Sequence, residues 1–254
     1  MAYLELNALS TILGGAFTAR VFLPGLDRLD LVDARHQKRY PVLWLLHTDG
    51  ETSLEFLKTP AESLAEQYGF IAIAPDLHHS MGTDMKWGPN VEKFLTREIR
   101  GIFKHLLPVS DLREENFIGG VGTGAYAALK CACKHPDLFS KAFSLNGILD
   151  MERLIAKTAV GEATGVPQTA EALDAVFGGA AGFLGGPDDL FALAKQPQRS
   201  EFYLCAEKDF GYYTDSRELA ALLGEKASFV SLDAGADYES CQVSMRGAAA
   251  WLFQ

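Results

Sequence analysis

The chain has 254 residues, of which 48% are hydrophobic and 22% charged, a globular mix with enough apolar side chains for a sizeable core, which excludes an intrinsically disordered chain. Its formal net charge of -10 and pI near 5.1 repel phosphate backbones and anionic bilayers, so neither nucleic acid nor a membrane is an expected partner. No apolar run is long enough to span a bilayer, and Met1 to Ser10 lacks the basic, apolar and small-residue pattern of a secretory signal, so a cytoplasmic location is expected.

In chain order, Tyr3–Ala8 and Phe17–Leu23 read as antiparallel edge strands. Pro41–His47 is the first core strand, because Val42 to Leu46 are continuously apolar, as a strand buried on both faces must be. Further strands are expected at Phe70–Ala74, Phe117–Val121, Ala142–Leu145, Phe202–Cys205 and Phe229–Leu232. Between them, Val91, Phe94, Leu95, Ile99, Ile102, Phe103 and Leu106 form a three-four stripe that predicts a helix over 91–107, capped by Asn90 and ended by Pro108. Helices are likewise expected at Thr123–Lys134, Asp215–Leu223 and Glu239–Phe253. The alternation predicts βαβ units around a mostly parallel sheet. Residues 151–200, rich in Gly and Ala, read as a small helical excursion over the sheet's carboxyl edge within a single domain spanning 1–254. Cys131, Cys133, Cys205 and Cys241 lie inside regular elements and are expected to be reduced core thiols.

Gly119-Gly120-Val121-Gly122-Thr123-Gly124-Ala125 follows a strand and opens a helix. That is the setting of a nucleophile elbow, G-x-S-x-G, whose small flanking residues let a sharp turn lift the central side chain above the sheet. Here the central residue is Gly122, which adopts such a backbone easily but has no oxygen. The same run satisfies G-x-G-x-x-A through Gly120, Gly122 and Ala125. A dinucleotide site is not expected, because that fingerprint belongs on the first βα turn and this one follows about the third core strand. Exposed N–H groups at the start of the Thr123 helix would still suit a carboxylate or phosphate of a small ligand.

The segments Tyr40-Pro-Val-Leu-Trp-Leu-Leu-His47, Thr83-Asp-Met-Lys-Trp-Gly-Pro89, Ser110-Asp-Leu-Arg-Glu114, Phe117-Ile-Gly-Gly120, Tyr126-Ala-Ala-Leu-Lys130 and His135-Pro-Asp-Leu-Phe139 resemble the tributyrin-esterase and esterase D branch of the α/β hydrolases, which includes S-formylglutathione hydrolases. The likeness runs over nearly the whole chain and implies the α/β-hydrolase fold, with self-association into a homo-oligomer as in many relatives. No cofactor or metal is implied. The family's elbow reads G-L-S-M-G-G, and its serine falls on Gly122. Asp209, in Cys205-Ala-Glu-Lys-Asp209, matches the triad acid, while the histidine's loop reads Gly235-Ala236-Asp237-Tyr238, with Ala236 in its place. All six histidines precede residue 136, whereas the base of this fold follows the last strand. The family's His-Gly oxyanion loop appears as His47-Thr48-Asp49, so the resemblance implies the backbone N–H groups of Asp49 and Thr123 as oxyanion donors.

Beyond these positions, His78 and His79 follow a strand's carboxyl end, where open α/β sheets bind ligands. Asp209 and Asp237 are candidates to approach each other and hold a cation or raise one pKa. Lys86, Trp87, Tyr126, Thr48 and Tyr212 are candidate pocket walls. The expected function is an esterase-family scaffold that does not hydrolyse esters and keeps a cleft for a small-molecule ligand or a protein partner. The alternative is a carboxylesterase acting on short acyl esters through rebuilt chemistry at Asp209, Asp237 or His78 and His79.

Overall fold

A computed structural model describes residues 2–25, 38–233 and 238–254, with backbone alone for 238–241. Eight strands, β1 (Ala2–Ser10), β2 (Gly15–Leu23), β3 (Val42–Leu46), β4 (Ile71–Pro75), β5 (Asn116–Val121), β6 (Lys141–Leu145), β7 (Glu201–Glu207) and β8 (Ala227–Leu232), form one sheet in the order β1-β2-β4-β3-β5-β6-β7-β8. Only the β1–β2 and β2–β4 pairs are antiparallel. Every expected strand is present, and the mostly parallel α/β architecture is the one the resemblance implied.

The apolar runs are continuous because alternate residues serve two layers. Val42, Trp44 and Leu46 of β3 face a cluster built on one side by the helices α2 (Val91–Lys93), α3 (Ile99–Leu106), α4 (Thr123–Lys134), α5 (Met151–Ala159), α6 (Ala170–Phe177), α7 (Ala180–Phe183), α8 (Leu190–Ala194) and α9 (Tyr213–Leu223). Leu43 and Leu45 face the other side, against α1 (Ala61–Tyr68) and α10 (Tyr238–Leu252). Among the described residues no helix is long and apolar enough to cross a membrane. Cys131 and Cys205 are buried and Cys133 half-buried, all as free thiols. Burial pushes Cys131 and Cys133 up to about 12, so they stay protonated and inert. The side chain of Cys241 lies outside the described residues.

Two local expectations need correction. The helix over 91–107 is not uniform: a π-helical stretch, Phe94–Glu98, separates α2 from α3. Its first turn is not capped by the Asn90 side chain. Asp84 does that work from the preceding loop, its Oδ1 accepting the Lys93 N–H at 2.9 Å. Helix α1 and the 3₁₀ turn Ser53–Lys58 also carry regular structure that the sequence reading left unassigned.

Helix α4 runs from the elbow through the core, and its polar underside is tied down by a buried ionic cluster. Lys130, wholly buried, donates through Nζ to the Gly82 carbonyl at 3.2 Å, Thr83 Oγ1 at 2.6 Å and Asp188 Oδ1 at 3.1 Å. Glu92 accepts from Lys134 at 2.8 Å and pairs with His135 Nε2 at 2.9 Å. Burial raises the Glu92 carboxyl, but the His135 hydrogen bond and the Lys130 and Lys134 ammoniums outweigh it and hold it at about 2. Two cations thus meet two carboxylates with no charge left over, the arrangement that makes burial tolerable.

The depressed Glu92 value sets an acid limb. Its contribution is fully present above the unfolded value near 4.5 and is lost as pH falls toward about 2, on the order of 3 kcal/mol in all. Urea unfolding at steps from pH 7 to pH 3 is expected to show stability falling below pH 4.5, and Glu92→Gln to flatten that fall while lowering stability at pH 7.

Candidate active site

Between β5 and α4 the chain turns on one residue, Gly122, with φ 56° and ψ -122°. A positive φ of this kind costs a side-chain-bearing residue backbone strain, which is the sharp turn expected of an elbow. The turn is fixed by its own peptide groups: the Gly122 N–H donates to the Leu145 carbonyl at 3.2 Å and its carbonyl accepts from Ile148 N–H at 3.0 Å. Gly124 is required for close approach, since a Cβ there would stand 2.1 Å from the Leu46 carbonyl oxygen.

Facing the elbow is the loop that leaves β3, His47-Thr48-Asp49. His47 is buried, and its Nε2 accepts the Leu77 N–H at 2.8 Å, so the proton sits on Nδ1 and is donated to the Thr48 carbonyl at 2.8 Å. Burial holds its pKa below the ordinary 6.5, which keeps the ring neutral and the loop clamped. Two threonines then close the site reciprocally. Thr48 Oγ1 accepts the Thr123 N–H at 3.2 Å, and Thr123 Oγ1 accepts the Asp49 N–H at 2.6 Å. These two N–H groups are the implied oxyanion donors. The structure brings them together, but each already has an acceptor. A Cβ built on Gly122 would lie 2.0 Å from Thr48 Oγ1 and 3.0 Å from Thr48 Cβ, so the Thr48 side chain fills the volume a nucleophile would need. Of the N–H groups at the start of α4 expected to suit an anion, that of Thr123 is already taken by Thr48.

The Asp49 side chain turns away from the elbow into a buried contact. Its Oδ2 accepts from Gln168 Nε2 and lies 3.3 Å from His79 Nδ1. Its Oδ1 is buried with no partner among the described residues. Gln168, which the sequence reading missed, arrives from the excursion just before α6, where the neighbouring Pro167 ring covers Gly50. Between His47, Asp49, Leu77, His78, Met81 and Thr123 no space admits a water-sized sphere. The cleft expected at the catalytic centre is therefore closed in the described residues.

The remaining candidates are dispersed. His78, with φ 53°, and His79 are exposed beyond β4, and only His79 reaches Asp49. Asp209 is exposed two residues past β7 and makes no hydrogen bond among the described residues; Ala236 and Asp237 lie outside them, and with them the Asp209–Asp237 approach. Tyr126 is a core residue, not a pocket wall: it is wholly buried, its O–H donates to the Asp188 carbonyl at 2.6 Å, and burial followed by Asp188 pushes its pKa well above 10. Tyr212 is also buried and anchors the excursion through the Thr164 carbonyl at 2.6 Å. Lys86 and Trp87 stand in the loop between β4 and α2. Both are exposed, Trp87 at 71%, and their backbone N–H groups bond the Val176 and Ala175 carbonyls of α6. The space that is open in this region is a cavity of about 400 Å³ between α5, α6 and α7, floored by Ile155 and Leu173 and rimmed by Glu171 and Asp174. Among the described residues no three His, Cys, Asp or Glu side chains cluster as a metal site.

The model of the family described as "Putative esterase" matches residues 10–198. No curated protein sequence matches the chain. Among solved structures it is similar to the substrate-bound fluorophosphonate-binding serine hydrolase F (FphF) of Staphylococcus aureus, with a TM-score of 0.86 and 21% identity over 100% of this chain and 98% of that one. It is also similar to S-formylglutathione hydrolase (FrmB) of Staphylococcus aureus, TM-score 0.84 and 22% identity over 100% and 99% of the two chains. An S-formylglutathione hydrolase of Agrobacterium tumefaciens follows at TM-score 0.75 and 17% identity over 99% and 94%.

The Thr48–Gly122 contact has a measurable consequence. Gly122→Ser alone is expected to destabilise the protein by about 2 kcal/mol through overpacking. In a Thr48→Gly background the backbone strain of the positive φ remains but the clash does not, so the same change is expected to cost less, and a double-mutant cycle by urea unfolding reads a coupling of at least about 1 kcal/mol. Equal costs in the two backgrounds would show that the threonine does not occupy that space.

Proposed function

This chain belongs to the esterase family of α/β hydrolases, and on that premise we propose that it is a non-hydrolytic member whose catalytic centre has been closed and whose remaining role is to bind. One observation carries the reading: the Thr48 hydroxyl occupies the nucleophile's volume at Gly122 and, with Thr123, consumes both backbone donors that an oxyanion would need. Loss of a nucleophile or a base alone costs about 10⁶ in turnover in a serine protease, and the residue left there, roughly 10³ to 10⁴ over water, comes from oxyanion stabilisation and binding. Here that residual term is opposed as well, because a developing oxyanion would have to displace two formed hydrogen bonds beside the buried Asp49 carboxylate. The space suited to a ligand is the cavity among α5, α6 and α7, whose apolar floor favours a small hydrophobic molecule over a charged one.

Hydrolysis of p-nitrophenyl acetate and butyrate, together with labelling by a fluorophosphonate, tests this directly. The native chain is expected to show neither above background. Thr48→Gly, Gly122→Ser and Ala236→His combined are expected to restore labelling and measurable turnover, whereas Gly122→Ser with Ala236→His is not, since Thr48 still fills the site. Ordinary esterase rates from the native chain would sink the proposal.

A second reading rests on His79. Its Nδ1 lies against the buried Asp49 carboxylate, which is how a carboxylate orients an imidazole as a general base, and the ring is solvent-exposed. That pair would activate water without a nucleophilic serine. It requires a turnover that His79→Ala abolishes, and a rate unchanged in that variant would remove it.

A further inference from the structure

The opposite edge of the sheet carries a feature unrelated to the catalytic centre. At the amino-terminal ends of β3 and β5, a cavity of about 210 Å³ opens beside α3, and its walls include Trp44, Arg97, Arg100, Gly101 and Lys104. The basic residues recur at spacings of three and four, which puts them on one helix face. The π-helical Phe94–Glu98 contributes Thr96 and Arg97 to the wall, and such stretches are frequent at functional sites.

The charges do not cancel. Lys104 is paired with Asp111 at 2.6 Å, and Asp111 is the acidic residue among the walls. Arg97 has no ion pair or hydrogen bond among the described residues. Arg100 is half-buried, stacked at 5.7 Å from the Trp44 ring and 5.3 Å from the Phe139 ring, and spends one of its five N–H donors, on Asn116 Oδ1 at 3.1 Å. The carboxylate charge acting on Arg100 is that of Asp111, which is itself ion-paired to Lys104 and makes no ion pair with Arg100. A guanidinium held in place by aromatic faces with donors left over is arranged for an anion that comes from outside. This cluster stands on a chain whose net charge is -10, so general attraction does not explain it. Ser110 also lines the cavity, and its Oγ accepts the Leu112 N–H at 3.2 Å, a bond that does not use its hydroxyl hydrogen.

Gly101 supplies an independent observation. It lies inside α3, where glycine is a poor helix former, yet neither a positive φ nor a close neighbour demands it: a Cβ there would meet nothing within 4 Å. What the missing side chain leaves open is the cavity itself.

We infer that this cavity is a binding site for a small oxyanion, a phosphate or a carboxylate, held by Arg97 and Arg100. The site is formed without any residue of the elbow or of the oxyanion loop, so it stands or falls separately from the non-hydrolytic reading. Calorimetric titration and thermal shift of the full chain at low ionic strength, with inorganic phosphate and with acetate in separate arms, test it. Saturable binding of one anion per chain is expected, and the arm with the tighter binding tells phosphate from carboxylate. Arg97→Gln, an exposed position, is expected to weaken that binding about tenfold, as loss of a charge-assisted hydrogen bond does. Gly101→Leu is expected to abolish it by filling the space while every cation stays. No saturable binding of either anion at millimolar concentration, or binding that both variants leave unchanged, overturns the proposal.

Discussion

Two hydroxyl groups facing each other across a one-residue turn set the character of this molecule. Thr48 accepts the backbone N–H of Thr123, and Thr123 accepts that of Asp49, the residue after Thr48, which ties the loop leaving β3 to the start of α4. The bonds are possible because Gly122 has no Cβ. With one, the Thr48 hydroxyl would stand 2.0 Å from it, and the β3 loop would have to retreat from the elbow. The threonine side chain thus fills the space that the missing Cβ leaves, as a closely packed interior demands.

The closure propagates outward through Asp49. Its backbone N–H is fixed by Thr123, so its carboxylate is carried into a buried position where an ionised group needs partners. Gln168 and His79 supply them on Oδ2. Gln168 comes from 119 residues further along the chain, and it brings the segment with Pro167 down over Gly50. The excursion is held at other points by Tyr212 on Thr164, by Tyr126 and Lys130 on Asp188, and by the Lys86 and Trp87 amides on α6. Residues that looked like walls of a substrate pocket are in this way the fastenings of a cap.

Which of this was readable from the residues follows from the range of the interactions. The strands were legible because a parallel strand buried on both faces must be apolar at every position, and Val42 to Leu46 are. The elbow was legible because its backbone demands small residues in sequence, and Gly120, Gly122 and Gly124 provide them. Helix α1 was missed because it is two turns long and its buried face is Ala61, Leu64 and Ala65, a stripe too small to stand out. Asn90 looked like the cap of α2 on local grounds, and a more distant carboxylate, Asp84, won. The pairing of Asp49 with Gln168 has no local signal at all. Neither does the role of Tyr126, whose hydroxyl finds a carbonyl 62 residues away.

The two ends of the sheet are built on opposite principles. In a parallel sheet the carboxyl edge gathers the loops that carry chemistry, and here that edge is sealed by hydroxyls, an amide and a carboxylate bonded to one another. Sealing stabilises the fold, because donors that a working active site must leave unsatisfied now have acceptors. The amino edge is built the other way, with Arg97 unpaired, Arg100 only partly satisfied, a glycine where the helix gains nothing from one, and open space beside them. Arg97 is exposed and its donors are met by water, but Arg100 is half-buried, and a partly buried donor without an acceptor is a cost that selection for stability alone does not explain. The two edges of one sheet thus differ in how far their polar groups are satisfied within the chain, more completely at the elbow than beside α3.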